Sequence, residues 1–256
     1  MISLMAHMIP YFPDRQTSRE IALTMLEQGV KYLEVQFAFS DPSADGPVIE
    51  AACQSALRNG FTVDGGFSFL ADLGASSEAL AKGRAKLFLM TYASIIFSRG
   101  IADFCRKAAD VGVSGLIIPD LPLDSDEGLA EAAREAGLDL IPVLAASSRP
   151  ERIAMARESG ANYIYCALRK GITGQETELD SGNIDFLHQA GKSGAKILAG
   201  FGISRAGQVH ALDGHAEAAV VGTAFLRAFT EGYENRAGVA AVGELAGDLV
   251  RAGSEH

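Results

Sequence analysis

MLEQGVKYLEV (residues 25–35) joins the end of an amphipathic helix to a short apolar strand through a glycine at position 29. A glycine directly after a helix supplies the left-handed cap that turns the chain back toward the next strand. The same helix–glycine–strand join recurs six times, around Gly83, Gly112, Gly137, Gly160, Gly194 and Gly214. The strands are apolar on both faces, which is typical of parallel strands covered by helices.

Seven joins and an opening strand around Ile2–Ile9 predict eight strands that alternate with helices. This alternation indicates parallel α/β architecture, either a closed barrel or a doubly wound open sheet. The strand count and the absence of a GxGxxG motif after the first strand favour a (β/α)8 TIM barrel. The chain of 256 residues is close to the ~250 expected for one such barrel. Without a linker or a change in composition, residues 1–256 are expected to form a single domain, and the doubly wound sheet remains the alternative.

Charge and motif content exclude several classes of function. The net charge is −10, from 22 basic and 32 acidic residues, and no run of Lys or Arg suggests binding to nucleic acid or to an anionic membrane. Three widely spaced cysteines indicate reduced thiols, and the five histidines form no HxxxH or HxH pair, so no metal site is expected. Neither a signal peptide nor an apolar run near ~20 residues is visible, which predicts a cytoplasmic protein.

In a barrel, functional groups lie where strands end and in the loops that follow. Glu34 lies within the second strand, Tyr32–Phe37, and the loop Ser40–Pro47 follows. A carboxylate buried without a partner costs several kcal/mol, so Glu34 is either a functional group or a strand-end residue that reaches water or a lysine. Asp45 is a weaker candidate by itself, because Asp-Gly-Pro is also ordinary turn chemistry.

The connection after the sixth strand is long for a loop of this kind. It runs through Ala167–Glu176 toward a helix near Asn183, and long loops in compact domains are often lids. Gly171 and Gly174 are candidate hinges, and Thr173 offers a hydroxyl. A surface loop without function is the alternative.

The last two strands each end in a glycine before a helix, in AGFGIS (residues 199–204) and VVGTA (residues 220–224). Loops after the seventh and eighth strands are the recurrent phosphate site of barrels, because free amides and the helix dipole converge there. Together with a glycine in the loop after the sixth strand, this pattern favours phosphate binding.

The run LEVQFAFSDPSADGP (residues 33–47) resembles the signature of the tryptophan synthase alpha-subunit family, a catalytic Glu followed by FSDPxADGP. The segments LMTYASIIFSRG, LIIPDLPLDS, RKGITG, GFGIS and VVGTA are similar to the family in the same order, so the resemblance covers nearly the whole chain. It implies a lyase of tryptophan biosynthesis that cleaves indole-3-glycerol phosphate to indole and glyceraldehyde 3-phosphate.

The resemblance also implies the roles of individual residues. Glu34 corresponds to the general acid/base and Asp45 to a second catalytic carboxylate that accepts a hydrogen bond from the indole N–H. Substrate-binding positions are the pocket tyrosines Tyr92 and Tyr165, the phosphate-binding residues Gly174, Gly202, Gly222 and Thr223, and the lid residues Arg169 and Thr173. No cofactor is needed for this half-reaction, and PLP is expected only in a beta-subunit partner, in an alpha2beta2 complex.

Departures from the family pattern leave two other functions open. Gln36 stands where Gly is usual, Ala38 where Pro is usual, and Leu168 and Lys170 where Ser is common, whereas Thr223 for Ser keeps the hydroxyl. The resemblance places the changes other than Thr223 on the loop and rim that face the beta subunit. The segment 10–14 is also shorter, and no helix precedes the first strand.

One alternative is a non-catalytic or regulatory barrel subunit that binds a phosphorylated ligand and a beta subunit. The other is a related phosphate-binding barrel acting on another substrate, which would carry a catalytic Lys or a metal cluster at its strand ends.

Overall fold

The computed structural model describes residues 1–168, 179–200, 202–233 and 237–254. Within them the strands are β1 Ser3–Met8, β2 Tyr32–Gln36, β3 Lys86–Met90, β4 Val113–Ile117, β5 Asp139–Ile141, β6 Val143–Ala145, β7 Tyr163–Ala167, β8 Lys196–Gly200 and β9 Ala218–Val221. The helices are α1 Arg15–Glu27, α2 Pro47–Arg58, α3 Val63–Ser76, α4 Glu78–Ala81, α5 Ala93–Arg99, α6 Ile101–Asp110, α7 Leu129–Glu135, α8 Pro150–Glu158, α9 Ser181–Gly191, α10 Ala206–Ala211, α11 Thr223–Tyr233 and α12 Gly238–Ser254.

All strand pairs are parallel, in the order β5-β4-β3-β2-β1-β9-β8-β7-β6. The two ends of this order, β5 and β6, are consecutive in the chain and separated only by Pro142, so the sheet closes on itself. Proline has no N–H for the ladder, which divides the predicted fifth strand into two segments. The predicted (β/α)8 barrel is therefore confirmed, with eight strand positions built from nine segments, and the doubly wound sheet is excluded.

The glycine joins have the geometry that the sequence predicts. All seven glycines adopt positive φ, from 64° at Gly83 to 95° at Gly29. A side chain at such a φ is strained, which explains glycine at the point where each helix ends.

Two apolar layers surround the strands. One fills the barrel, with Met5, Phe88 and Leu198 among its buried members, and the other lies between strands and helices. At the amino-terminal end of the barrel, Tyr32 Oη donates to Glu217 at 2.6 Å. Polar contacts and packing close this end, so the accessible interior lies at the carboxyl ends of the strands.

The helices form the outer layer. The longest of those described, α12, packs on α1, α10, α11 and β1, and Ile2 N donates to Gly253 O at 2.9 Å beside the first strand. In the part of the chain that the structure describes, no helix is both long and apolar enough to cross a membrane.

Candidate active site

A cavity of about 570 Å³ lies at the carboxyl ends of the strands. Six of the residues singled out from the sequence line it: Glu34, Asp45, Tyr165, Gly202, Gly222 and Thr223. A seventh, Tyr92, donates a hydrogen bond to Asp45. The remaining three, Arg169, Thr173 and Gly174, lie outside the described residues.

Glu34 lies inside the barrel near the end of β2, with only 3% of its surface exposed. Because side chains alternate along a strand, Glu34 and Gln36 face the same interior. Burial, and next the charge of Asp45, raise the pKa of Glu34 to about 8. The side chain is therefore mostly protonated at pH 7 and suited to give a proton and take it back.

Asp45 is held by two donors in the loop between β2 and α2. Its Oδ2 accepts from Gln36 Nε2 at 2.6 Å and from Tyr92 Oη at 2.9 Å. Burial raises the pKa of Asp45, while the hydrogen bonds from Gln36 and Tyr92 oppose that rise. The carboxylate is thus oriented by two side chains from β2 and from the end of β3.

Tyr92 fixes the loop that carries Asp45. Its hydroxyl also accepts from Ala44 N at 3.2 Å, and its ring stacks on Phe39 with 5.0 Å between ring centroids. Tyr92 directly precedes α5 and is itself buried. These contacts therefore hold the loop between β2 and α2 against the end of β3.

Tyr165 occupies the interior face of β7 beside the acidic pair. Burial raises its pKa well above the ordinary value, and the charges of Glu34 and Asp45 add to that rise. The phenol therefore keeps its proton at the wall of the cavity.

The amino-terminal end of α11 also lines the cavity. This helix of eleven residues begins at Thr223, directly after Gly222 and β9. Amides in the first turn of a helix have no acceptor within the helix, and the dipole adds partial positive charge there. This end of the helix is therefore suited to bind an anionic group, and the sequence predicts that this group is a phosphate.

The loop after β8 is shaped by the side chain of Gln208. Its Nε2 donates to Gly202 O at 3.1 Å, and its Oε1 accepts from Ser204 N at 2.9 Å. Gly202 has a φ of 80°, which few other residues adopt. Gly202, one of the glycines predicted to bind phosphate, thus lies at the cavity in a constrained turn.

The resemblance places the departures at positions 36 and 38 on the loop and rim that face the beta subunit, whereas both side chains are buried in this chain. Gln36 is fully buried and Ala38 is 4% exposed. Glu34 lies two positions before Gln36 on β2, and residues two apart on a strand share one face. This alternation could have shown from the sequence that Gln36 faces the interior.

His7 is a site residue that the sequence did not indicate. It is 5% exposed, lines the cavity from β1, and lies in register with Glu34. No histidine motif marks it in the sequence, because its neighbours in the site are a glutamine and an aspartate on other elements. Arg227, one turn into α11, also lines the cavity and was not indicated.

Gly222→Ala is expected to raise KM for a phosphorylated substrate about tenfold with a smaller effect on kcat. A Cβ at this position would lie 3.2 Å from His7 Nδ1, so the added methyl displaces the strand end from which the α11 amides project. Steady-state kinetics measure the effect. Gly207→Ala is the matched control, since its Cβ meets nothing within 4 Å; equal KM values for both variants would remove Gly222 from the anion site.

Fold and cavity together define a (β/α)8-barrel protein in which two carboxyl groups and the amino-terminal end of a helix line one cavity. The family model for "Tryptophan synthase alpha chain" matches residues 2–252, and the chain belongs to this family. It is 38% identical to the tryptophan synthase alpha chain of Helicobacter hepaticus over 229 residues, 89% of this chain and 86% of that one. The alpha chain of Syntrophotalea carbinolica is 36% identical over 232 residues, 90% of this chain and 89% of that one.

Solved structures agree with this assignment. Mycobacterium tuberculosis tryptophan synthase superposes with a TM-score of 0.86 at 28% identity, covering 100% of this chain and 93% of that chain. The a2b2 tryptophan synthase complex of Pyrococcus furiosus superposes with a TM-score of 0.84 at 26% identity, covering 97% and 98%. The likeness extends over the whole barrel.

Proposed function

We propose that this protein cleaves indole-3-glycerol phosphate to indole and glyceraldehyde 3-phosphate as the alpha subunit of a tryptophan synthase. The observation that carries the proposal is one cavity holding a buried acid at Glu34, an oriented carboxylate at Asp45 and the amino-terminal end of α11. Retro-aldol cleavage of a phosphorylated indole requires a proton donor, a stabiliser of positive charge and an anion site.

Glu34 is the proton carrier in the proposed reaction. Its carboxyl group donates a proton to indole C3, which produces an indolenine cation. The resulting carboxylate then takes the proton of the C3′ hydroxyl as the bond between indole C3 and C3′ breaks. Electrons from that bond return to the indole ring, the C3′ oxygen becomes the aldehyde, and Glu34 regains its proton. A pKa of about 8 suits both steps near neutral pH.

Asp45 stabilises the cation. Two donors occupy its Oδ2, so its Oδ1 is the atom that accepts from the indole N–H as positive charge develops. Tyr165 lies on the same side of the cavity, and burial keeps it protonated. A carboxylate oriented before substrate binds requires little reorganisation when the charge forms.

The phosphate is proposed to bind Gly202, Gly222, Thr223 and, outside the described residues, Gly174. Backbone amides at the start of α11 can hold an anion, and Arg227, one turn into the same helix, also lines the cavity. Arg169 and Thr173, which also lie outside the described residues, are proposed to bind the substrate.

We further propose a beta-subunit partner that holds PLP, while the alpha reaction itself uses no cofactor. The support is the a2b2 complex of Pyrococcus furiosus, whose structure this chain resembles over 97% of its length. Residues 1–256 are proposed to act as a single domain in the cytoplasm.

Purified protein is expected to release indole from indole-3-glycerol phosphate, and Asp45→Asn is expected to lower kcat about a hundredfold. Asparagine keeps the size but lacks the charge that stabilises the cation, and a hydrogen bond to a charged group contributes about 1.5–3 kcal/mol. Indole formation is measured by steady-state kinetics with and without a cognate beta subunit.

Asp41→Asn is the matched control for this assay, because Asp41 is an exposed aspartate of the same loop. Folded wild-type protein that releases no indole in either condition would contradict the lyase proposal and support the non-catalytic subunit. Stimulation by the beta subunit is the expected sign of partner binding.

A further inference from the structure

Three polar side chains form a buried row at the cavity. His7 Nε2 lies 2.6 Å from Gln36 Oε1, and Gln36 Nε2 lies 2.6 Å from Asp45 Oδ2. His7 and Gln36 are 5% and 0% exposed. The proposed proton transfers use neither residue, although burying two polar side chains is costly unless their hydrogen bonds are made.

The direction of each hydrogen bond follows from the carboxylate. An ionised Asp45 only accepts, so the amide nitrogen of Gln36 faces it and the amide oxygen faces His7. His7 must then donate from Nε2. Burial lowers the pKa of His7, which favours the neutral ring, and the acceptor at Gln36 Oε1 places the remaining proton on Nε2. Its Nδ1 is buried and has no hydrogen-bond partner among the described residues.

This row restricts the rotation of Asp45. Gln36 and Tyr92 both donate to Oδ2, which directs the other carboxylate oxygen away from them. Gln36 orients Asp45 only while its own amide is prevented from turning, because a rotated amide would present oxygen to the carboxylate. His7 supplies the donor that holds the amide oxygen in place.

We propose that His7 and Gln36 are positioning residues that orient Asp45 for the indole N–H. The inference rests on the proposed lyase function for its kinetic consequence, whereas the hydrogen bonds that orient Asp45 come from side chains of this protein. His7 acts through Gln36, and Gln36 acts through Asp45, so both residues affect the reaction step rather than the binding of the phosphate end.

Nitrogen-15 NMR of histidine-labelled protein without substrate tests the orientation. The signal that disappears in His7→Leu belongs to His7, and it is expected to show the neutral ring protonated on Nε2 at pH 7. Gln36→Met, which removes the amide at nearly constant volume, is expected to shift that signal. A ring protonated on Nδ1, or a signal that does not respond to Gln36→Met, would overturn the proposal.

Kinetics test the consequence for the reaction. His7→Leu is expected to lower kcat about tenfold and Gln36→Met about thirtyfold, each with KM changed less than about twofold. His7→Gln places an amide N–H near the original Nε2 and is expected to restore kcat to within about threefold of wild type. Met8→Leu is the matched control, since Met8 is buried on the same strand but faces the outer apolar layer.

The outcomes separate this inference from the proposed function. Wild-type kcat in Gln36→Met, or failure of His7→Gln to recover activity lost in folded His7→Leu, would overturn the positioning role while leaving the lyase intact. If wild-type protein releases no indole, the lyase proposal fails, whereas the NMR result still decides whether His7 orients Asp45 through Gln36.

Discussion

Glu34→Gln is expected to lower the rate of indole release about a thousandfold, because general acid/base catalysis contributes roughly 10²–10⁴. Glutamine keeps the size of the side chain and its place in β2, but it can neither donate a carboxyl proton nor take one from the C3′ hydroxyl. Both transfers assigned to Glu34 are then lost. The measurement is kcat for indole formation, with KM expected to change little since the phosphate end is untouched.

Glu50→Gln provides the matched control for this change. Glu50 lies on α2, is exposed, and accepts from Gln54 Nε2 at 3.3 Å on the surface. Its replacement is expected to leave kcat unchanged. If Glu34→Gln retained more than about a tenth of wild-type kcat, Glu34 would not be the proton carrier, and Asp45 would be the next carboxyl group to consider for that role.

Glu34→Gln is also expected to gain stability relative to wild type as the pH rises. The pKa of Glu34 is about 8 in the folded protein against an ordinary value of 4.5. The folded state therefore retains a proton that the unfolded chain has released. Stability from this group is fully present below pH 4.5 and is lost as pH rises through 8, by up to about 1.4 kcal/mol per pH unit in between.

Glutamine does not titrate, so the difference in unfolding free energy between Glu34→Gln and wild type should grow by about 4 kcal/mol from pH 5 to pH 8. Urea unfolding at pH 5, 6.5 and 8 measures this difference in unfolding free energy. The control Glu50→Gln is expected to have the same pH dependence of unfolding free energy as wild type. Parallel curves for Glu34→Gln and wild type would show that Glu34 has the same pKa in the folded and unfolded chain.

The paired carboxyl groups explain why activity and stability depend on the same residue. A buried Glu34 beside Asp45 costs stability when both are ionised, because desolvation and like charge act together. The same two effects keep Glu34 protonated near neutral pH, where the proposed reaction needs an acid. The cost in stability and the catalytic proton therefore have one physical origin.

The sequence by itself determined the architecture and the place of the site. Helix periodicity, the seven glycine caps and the apolar strands are local features, since each depends on residues within a few positions of one another. They placed Glu34, Asp45 and the last two glycine turns at the strand ends. Specific motifs then identified the family before any distance between residues was known.

Only the tertiary structure decided which side chains meet within the cavity. The bond from Tyr92 to Asp45 spans 47 positions, and that between His7 and Gln36 spans 29. Such contacts depend on the register between strands and on closure of the barrel through Pro142, which no local pattern encodes. For this reason the sequence did not indicate that Gln36 or His7 belongs to the site, whereas the folded barrel links both to Asp45 by hydrogen bonds.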